Sequence, residues 1–145
     1  MCFAPKKHKF FASVSQDNTL KVWNTATADG EEGPTIVNSA QMTIMAHQKY
    51  INAVRVSPND KLVATSSQDK TINIWQASSL QLKKTLKGHS SGIWDIQFAP
   101  TEQLLVSASG DKLCKVWNVG SGECLATLQG HDTALVKASW LNAGL

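Results

Sequence analysis

Residues 65–75 read Thr65-Ser66-Ser67-Gln68-Asp69-Lys70-Thr71-Ile72-Asn73-Ile74-Trp75, and the pattern returns at Ser107-Ala108-Ser109-Gly110-Asp111 with Val116-Trp117-Asn118. Asp69 and Asp111 lie 42 residues apart, as do Trp75 and Trp117. The same 42-residue interval separates Pro58 from Pro100, and His47 from His89 and His89 from His131. Four kinds of landmark sharing one period identify a repeat architecture far more firmly than any single short motif. Within each unit the His precedes the Trp by 28 residues. An earlier copy, Ser13-Val14-Ser15-Gln16-Asp17-Asn18-Thr19-Leu20-Lys21-Val22-Trp23, stands 52 residues before the next. The surplus falls between Ala26 and Asn38, where Asp29, Gly30, Glu31, Glu32, Gly33 and Pro34 read as a longer exposed loop.

Each unit divides into four short strands. In the second they are expected at about Ile51–Val56, Leu62–Ser66, Thr71–Trp75 and Gln81–Leu86. Pro58-Asn59-Asp60 and Gln68-Asp69-Lys70 supply turn chemistry between them. The strands are apolar and β-branched on much of both faces, as suits a sheet packed on both sides by neighbouring sheets.

These features resemble the WD-repeat signature: Gly88-His89, then Phe98-Ala99-Pro100, Ser107-Ala108-Ser109-Gly110-Asp111 and Val116-Trp117-Asn118. The resemblance covers essentially the whole chain. Asn24, Gln76 and Asn118 stand where the family usually has Asp after the Trp. It implies an all-β fold, a fragment of a WD40 β-propeller with about three four-stranded blades plus the first strand of a fourth. Blade 1 is expected at about 1–45, blade 2 at 46–87, blade 3 at 88–129, and the start of blade 4 at 130–145. Cys2-Phe3-Ala4-Pro5 resembles Gln97-Phe98-Ala99-Pro100, and Trp140 falls where Phe98 falls one unit earlier. Both termini are therefore expected inside blades. Closed propellers have typically 4–8 blades, so the chain reads as a fragment, a truncated gene model or one part of a longer chain.

The resemblance also implies a buried hydrogen-bonded tetrad in each blade: His47, Thr65, Asp69 and Trp75 in the second, His89, Ser107, Asp111 and Trp117 in the third. Ser13, Asp17 and Trp23 form a partial set in the first. The chemistry fits: a buried carboxylate needs donors, which His and backbone N–H groups supply, and an indole N–H needs an acceptor, which a hydroxyl supplies. The combination of His, Ser and Asp also invites a hydrolase reading. It is rejected because the set recurs with the fold period, whereas a nucleophile occurs once, exposed, beside an oxyanion hole. No catalytic residue is assigned. No Gly-rich phosphate loop appears, and Asp60, Asp69 and Asp111 lack EF-hand spacing. No cofactor, metal or small-molecule substrate is expected.

Composition narrows the class further. Hydrophobic residues make up 42% and charged residues 17%, a globular balance. The net charge is +3, and every basic residue except Arg55 is Lys. A dedicated nucleic-acid reader clusters its basic residues and favours Arg. The one dense basic group, Lys6, Lys7 and Lys9, reads as a solvated surface. Cys2, Cys114 and Cys124 form no C-x-x-C pair, which argues against a disulfide framework or a zinc site and fits a reducing compartment. Met1 is not followed by a secretory apolar region, and no apolar run is long enough to span a bilayer.

Residues that break the repeat are the candidates for binding a partner. Asn52, Trp94 and Val136 share one position of the period, and Gln16, Gln68 and Gly110 precede the repeated Asp. In the WD family both positions lie near one rim, which Tyr50 joins. The candidate partner-binding residues are Tyr50, Asn52, Gln68, Trp94 and Gln16. Trp94 either anchors a partner or packs on a neighbouring blade, since indole serves both roles.

A finer resemblance rests on Ala46-His47-Gln48-Lys49-Tyr50-Ile51-Asn52-Ala53-Val54, Ser57-Pro58-Asn59-Asp60-Lys61-Leu62, Gly88-His89 with Gly92-Ile93-Trp94, Ser109-Gly110-Asp111-Lys112, and Gly130-His131 with Leu135. Together these resemble the transducin β-like WD-repeat family of the small-subunit processome, associated with the U3 small nucleolar RNP. That implies non-catalytic scaffolding among the proteins of a multi-subunit complex in pre-rRNA processing and ribosome biogenesis, in the nucleolus within the nucleus. Contact with the U3 particle and pre-rRNA would be indirect, and no membrane is involved. The alternative is a WD adaptor of the cytoplasm or another complex, recruiting substrates to a ubiquitin ligase or serving signalling.

Overall fold

The computed structural model describes residues 2–3, 10–24, 40–100 and 103–141. Among these residues twelve strands form three antiparallel four-stranded sheets. The first holds β1 (Cys2–Phe3), β2 (Phe10–Val14), β3 (Thr19–Asn24) and β4 (Met42–Met45). The second holds β5 (Ile51–Val56), β6 (Leu62–Ser67), β7 (Thr71–Gln76) and β8 (Leu82–Lys87). The third holds β9 (Ile93–Phe98), β10 (Leu104–Ser109), β11 (Leu113–Asn118) and β12 (Cys124–Gln129). In each sheet the strands pair in chain order, a meander. The fold is therefore all-β, with antiparallel sheets of four strands.

Sequence period becomes structural register. Phe11 pairs with Trp23, Val63 with Trp75 and Leu105 with Trp117, so each Trp meets an apolar partner two strands into its sheet. The turn after each repeated Asp is tight, and the following residue takes left-handed backbone: φ is 67° at Asn18, 72° at Lys70 and 70° at Lys112. Inner strands carry a bulge at one place: Ile51 and Ala53 pair with Ser67 and Ser66, leaving Asn52 unpaired, and Ile93 and Asp95 flank an unpaired Trp94 in the same way. Outer strands have a second bulge, which leaves Lys83 and Leu125 without ladder partners.

The sheets stack through two apolar interfaces. Ala12, Leu20 and Val22, with Ile44 beside them, meet Val54, Val56, Val63 and Trp75. One sheet later, Ala64, Ile72, Ile74 and Leu86 meet Ile96, Phe98, Leu105 and Trp117. The receiving residues of the second interface recur at Val106, Cys114, Val116 and Leu128 in the third sheet.

Two sequence expectations differ in detail. The fourth strand of the second unit begins and ends one residue later than expected, at Leu82–Lys87. The first strand of a fourth blade does not form as a strand: residues 130–141 make no ladder. A first strand is held by its second, and the described residues contain none beyond β12. The segment is tethered instead to the third sheet, by the Leu135 N–H on Ser109 O (3.0 Å) and by the Trp140 backbone N–H and indole N–H on Gln97 (3.1 and 3.2 Å). The expected loop from Ala26 to Asn38 and the Lys6, Lys7, Lys9 group lie outside the described residues.

Candidate functional site

The repeated polar residues converge at the end of each sheet that carries the β6–β7 and β10–β11 turns. In the second sheet the Trp75 indole N–H donates to Thr65 Oγ1 at 2.9 Å, His47 Nε2 lies 2.8 Å from the same oxygen, and His47 Nδ1 lies 2.9 Å from Asp69 Oδ2. In the third sheet the corresponding distances are 2.9 Å for Trp117 to Ser107, 2.8 Å for His89 to Ser107 and 2.8 Å for His89 to Asp111. Hydrogen-bonding logic orders the protons. Ionised Asp only accepts, so Nδ1 carries the imidazole proton, and Nε2 accepts the hydroxyl hydrogen.

The electrostatics agree with a neutral His and a charged Asp. Burial holds His47 and His89 below the usual imidazole value, against the pull of their carboxylates. Burial pushes the Asp69 carboxyl up, but hydrogen bonds from Thr71, the contact with His47 and the Gln48 N–H outweigh it and hold it low. Burial opposes ionisation at Asp111 too, and there His89 with the N–H groups of Ser90 and Leu113 prevails. Thr65 and Ser107 are fully buried. Each hydroxyl is engaged by both an indole and an imidazole, so no substrate reaches it as a nucleophile. In the first sheet, Trp23 donates to Ser13 Oγ at 2.8 Å, while Asp17 accepts from the Thr19 hydroxyl and N–H at 2.6 and 2.9 Å.

The partner-binding candidates part company. Asn52 is drawn inward: its Nδ2 donates to Ile93 O at 2.9 Å, tying the second sheet to the third. Trp94, at the matching bulge, points outward and is 43% exposed. Tyr50 is 56% exposed, and Gln16 is exposed at its turn. Gln68 is half-buried. Its N–H donates to Tyr50 O at 2.9 Å, and its side-chain amide lies across Gly92, where a Cβ would stand 2.0 Å from Gln68 Oε1. At Gly110 a Cβ would meet Ser91 Oγ at 2.9 Å and the Trp94 indole nitrogen at 3.3 Å. The two glycines therefore let Gln68 and Trp94 lie flat, joining Tyr50, Gln68 and Trp94 into one rim across two sheets. Trp94 thus rests on its own sheet's β10–β11 turn.

Sequence reasoning missed the contact between Arg55 and Asp95. Arg55 Nη2 lies 2.8 Å from Asp95 Oδ1, joining inner strands β5 and β9. These residues do not share a position of the period, so the repeat carried no signal for the pair. Among the described residues no cluster of His, Cys, Asp and Glu is arranged to hold a metal ion. Among the described residues no helix is long and apolar enough to cross a membrane.

The family of the WD domain, G-beta repeat, matches residues 1–24, 38–76 and 80–118. Transducin beta-like protein 3 of Bos taurus is 41% identical over 93 residues, 61% of this chain. U3 small nucleolar RNA-associated protein 13 of Saccharomyces cerevisiae is 38% identical over 78 residues, 54% of this chain. The matches span only 12% and 10% of those relatives. A solved structure of U3-55K superposes with a TM-score of 0.81 at 25% identity, covering 92% of this chain and 40% of the other.

Proposed function

The chain belongs to the WD domain, G-beta repeat family, and from that premise we propose that it is a non-catalytic scaffold of the small-subunit processome, acting in pre-rRNA processing in the nucleolus. The observation that carries this reading is the sequence identity to transducin beta-like protein 3 and to the yeast protein associated with U3 small nucleolar RNA. The geometry supports a binding role over a chemical one. The titratable residues that converge are consumed as fasteners inside the second and third sheets, whereas the side chains left to solvent on the turn-bearing rim include Tyr50 and Trp94 with amides and lysines. Trp and Tyr are the residue types most enriched where interfaces concentrate their binding energy. Partners are other proteins of the complex, with the U3 particle and pre-rRNA contacted indirectly.

Affinity purification of the tagged protein from nuclear extract tests the assignment. U3 RNA and small-subunit assembly factors are expected in the eluate, and Trp94→Ala is expected to reduce their recovery while leaving the fold intact. Recovery of cullin or signalling complexes instead would overturn it.

A further inference from the structure

We infer that the chain pairs head to tail with a second copy of itself, with His131 of one copy completing the set of Ser13, Asp17 and Trp23 on the other. Such pairing is independent of which complex the rim serves.

The chain holds two half-built fasteners. In the complete sets the His arrives from the end of the preceding sheet: His47 follows β4 and meets Thr65 and Asp69, and His89 follows β8 and meets Ser107 and Asp111. The next backbone N–H joins them, from Gln48 to Asp69 Oδ2 at 3.2 Å and from Ser90 to Asp111 Oδ2 at 2.9 Å. His131 follows β12 at the same position of the period, yet it is exposed and makes no hydrogen bond with the described residues. The set of Ser13, Asp17 and Trp23 is the converse. Trp23 donates to Ser13 Oγ, but no His among the described residues reaches Ser13 or Asp17. Asp17 uses only Oδ1, for the N–H and hydroxyl of Thr19. One end of the chain lacks the hydroxyl and carboxylate, the other lacks the imidazole, and a second copy supplies both.

The surfaces beside these half-sets match. At Gly88 a Cβ would stand 3.2 Å from the Trp117 ring, which the next sheet lays over it. At Gly130, the same position of the period, nothing lies within 4 Å. Trp23 holds the position of Trp117 and is half-buried, whereas Trp117 is 1% exposed. Leu86 is 1% exposed under the third sheet, and its counterpart Leu128 is 54% exposed. Trp23 of a second copy therefore fits over Gly130 as Trp117 fits over Gly88, with its sheet on Val116 and Leu128. By the period, residues 135–140 take the place of a first strand. The incoming β1 is two residues long, so the tail stands beside the incoming sheet.

The number of sheets limits the assembly. A head-to-tail contact builds a ring when its rotation closes and a filament when it does not. Closed propellers have typically 4–8 blades. Two copies of three sheets bring six, within that range, and three copies would bring nine. Assembly therefore stops at two copies, joined by two identical junctions. At dilution the copies part and both faces return to solvent.

Sedimentation equilibrium of the whole chain is the test. The mean mass should rise with concentration to that of two copies and no further. His131→Ala should weaken the pairing by roughly ten- to hundredfold, the worth of one hydrogen bond to a charged carboxylate, while circular dichroism and urea unfolding of the dilute chain stay unchanged. Gly130→Trp, which fills the notch, and Asp17→Lys, which removes the acceptor, should each stay monomeric with the circular dichroism of the parent chain. Mixed, they should form a one-to-one complex, because the first retains Asp17 and the second retains Gly130 and His131. A chain that is monomeric up to about 1 mM, unaltered pairing in His131→Ala, filaments in place of dimers, or a mixture that stays monomeric would each overturn the inference. Pairing lost in Leu125→Lys but kept in Gly130→Trp would put the contact on the β12 edge and overturn it as well.

Discussion

Ser107 shows how much one buried hydroxyl can hold. Its oxygen accepts from Trp117 and its hydrogen satisfies His89, which in turn donates to Asp111. Ser107→Ala strands an indole N–H and an imidazole nitrogen inside the sheet, and should lower stability in urea titration by about 1–3 kcal/mol. Thr65→Val should behave alike. The same two chains set a pH response. His47 and His89 are held below their ordinary value of 6.5, so the unfolded chain binds protons that the native one refuses. Stability is then fully present above pH 6.5 and declines as pH falls below it. Asp69 and Asp111, held below the ordinary 3.8, add a second loss as pH falls through and beneath that value. Thermal unfolding followed from pH 8 to pH 3 should show both declines, and His47→Gln with His89→Gln should flatten the first. These residues were legible in sequence because the 42-residue period aligns them. The different fates of Asn52 and Trp94 were not, since both occupy one position of the period and only the neighbouring carbonyls and glycines decide which side chain turns inward.

At the scale of the strand, the outer edges of the second and third sheets are matched in register but not in character. β8 carries Lys83, Lys84 and Lys87, whereas β12, Cys124–Gln129, has no charge and exposes Leu125 (55%) and Leu128 (54%). A charged edge discourages pairing with a foreign strand, and an uncharged one with exposed leucines invites it. Leu125→Lys, which restores the residue found at the matching position of β8, should raise the concentration at which the protein begins to scatter light, without changing its circular dichroism. An unchanged onset would show that association runs through another surface. Strand positions themselves were read well from turns and β-branched runs, within one residue in the second sheet. The segment after β12 was not: its pattern is that of a first strand, but pairing is a property of two segments, and the described chain supplies one.

At the scale of the molecule, three sheets make two interfaces, and the third sheet's receiving face is only partly covered by the described residues. Val106, Cys114, Val116 and Leu128 repeat the positions of Ala64, Ile72, Ile74 and Leu86, which the third sheet covers in the second. Here the tethered segment, through Leu135 and Trp140, closes only part of the face and leaves a groove of about 540 Å³. Exposed apolar surface of this kind binds hydrophobic dyes. The chain should therefore enhance 1-anilinonaphthalene-8-sulfonate fluorescence while still unfolding cooperatively, and Leu128→Lys should reduce that signal. A chain that leaves the dye dark would mean that the face is covered.

The amino-acid sequence by itself determined the repeat, the strands and turns within it, and the four residue types that fasten the second and third sheets. All of these are local or periodic, and a period is readable without knowing where the chain goes. The tertiary structure alone decided which unpaired bulge residue faces solvent and how Arg55 finds Asp95. Those facts depend on contacts between sheets, where residues from different units meet at positions that the period does not relate.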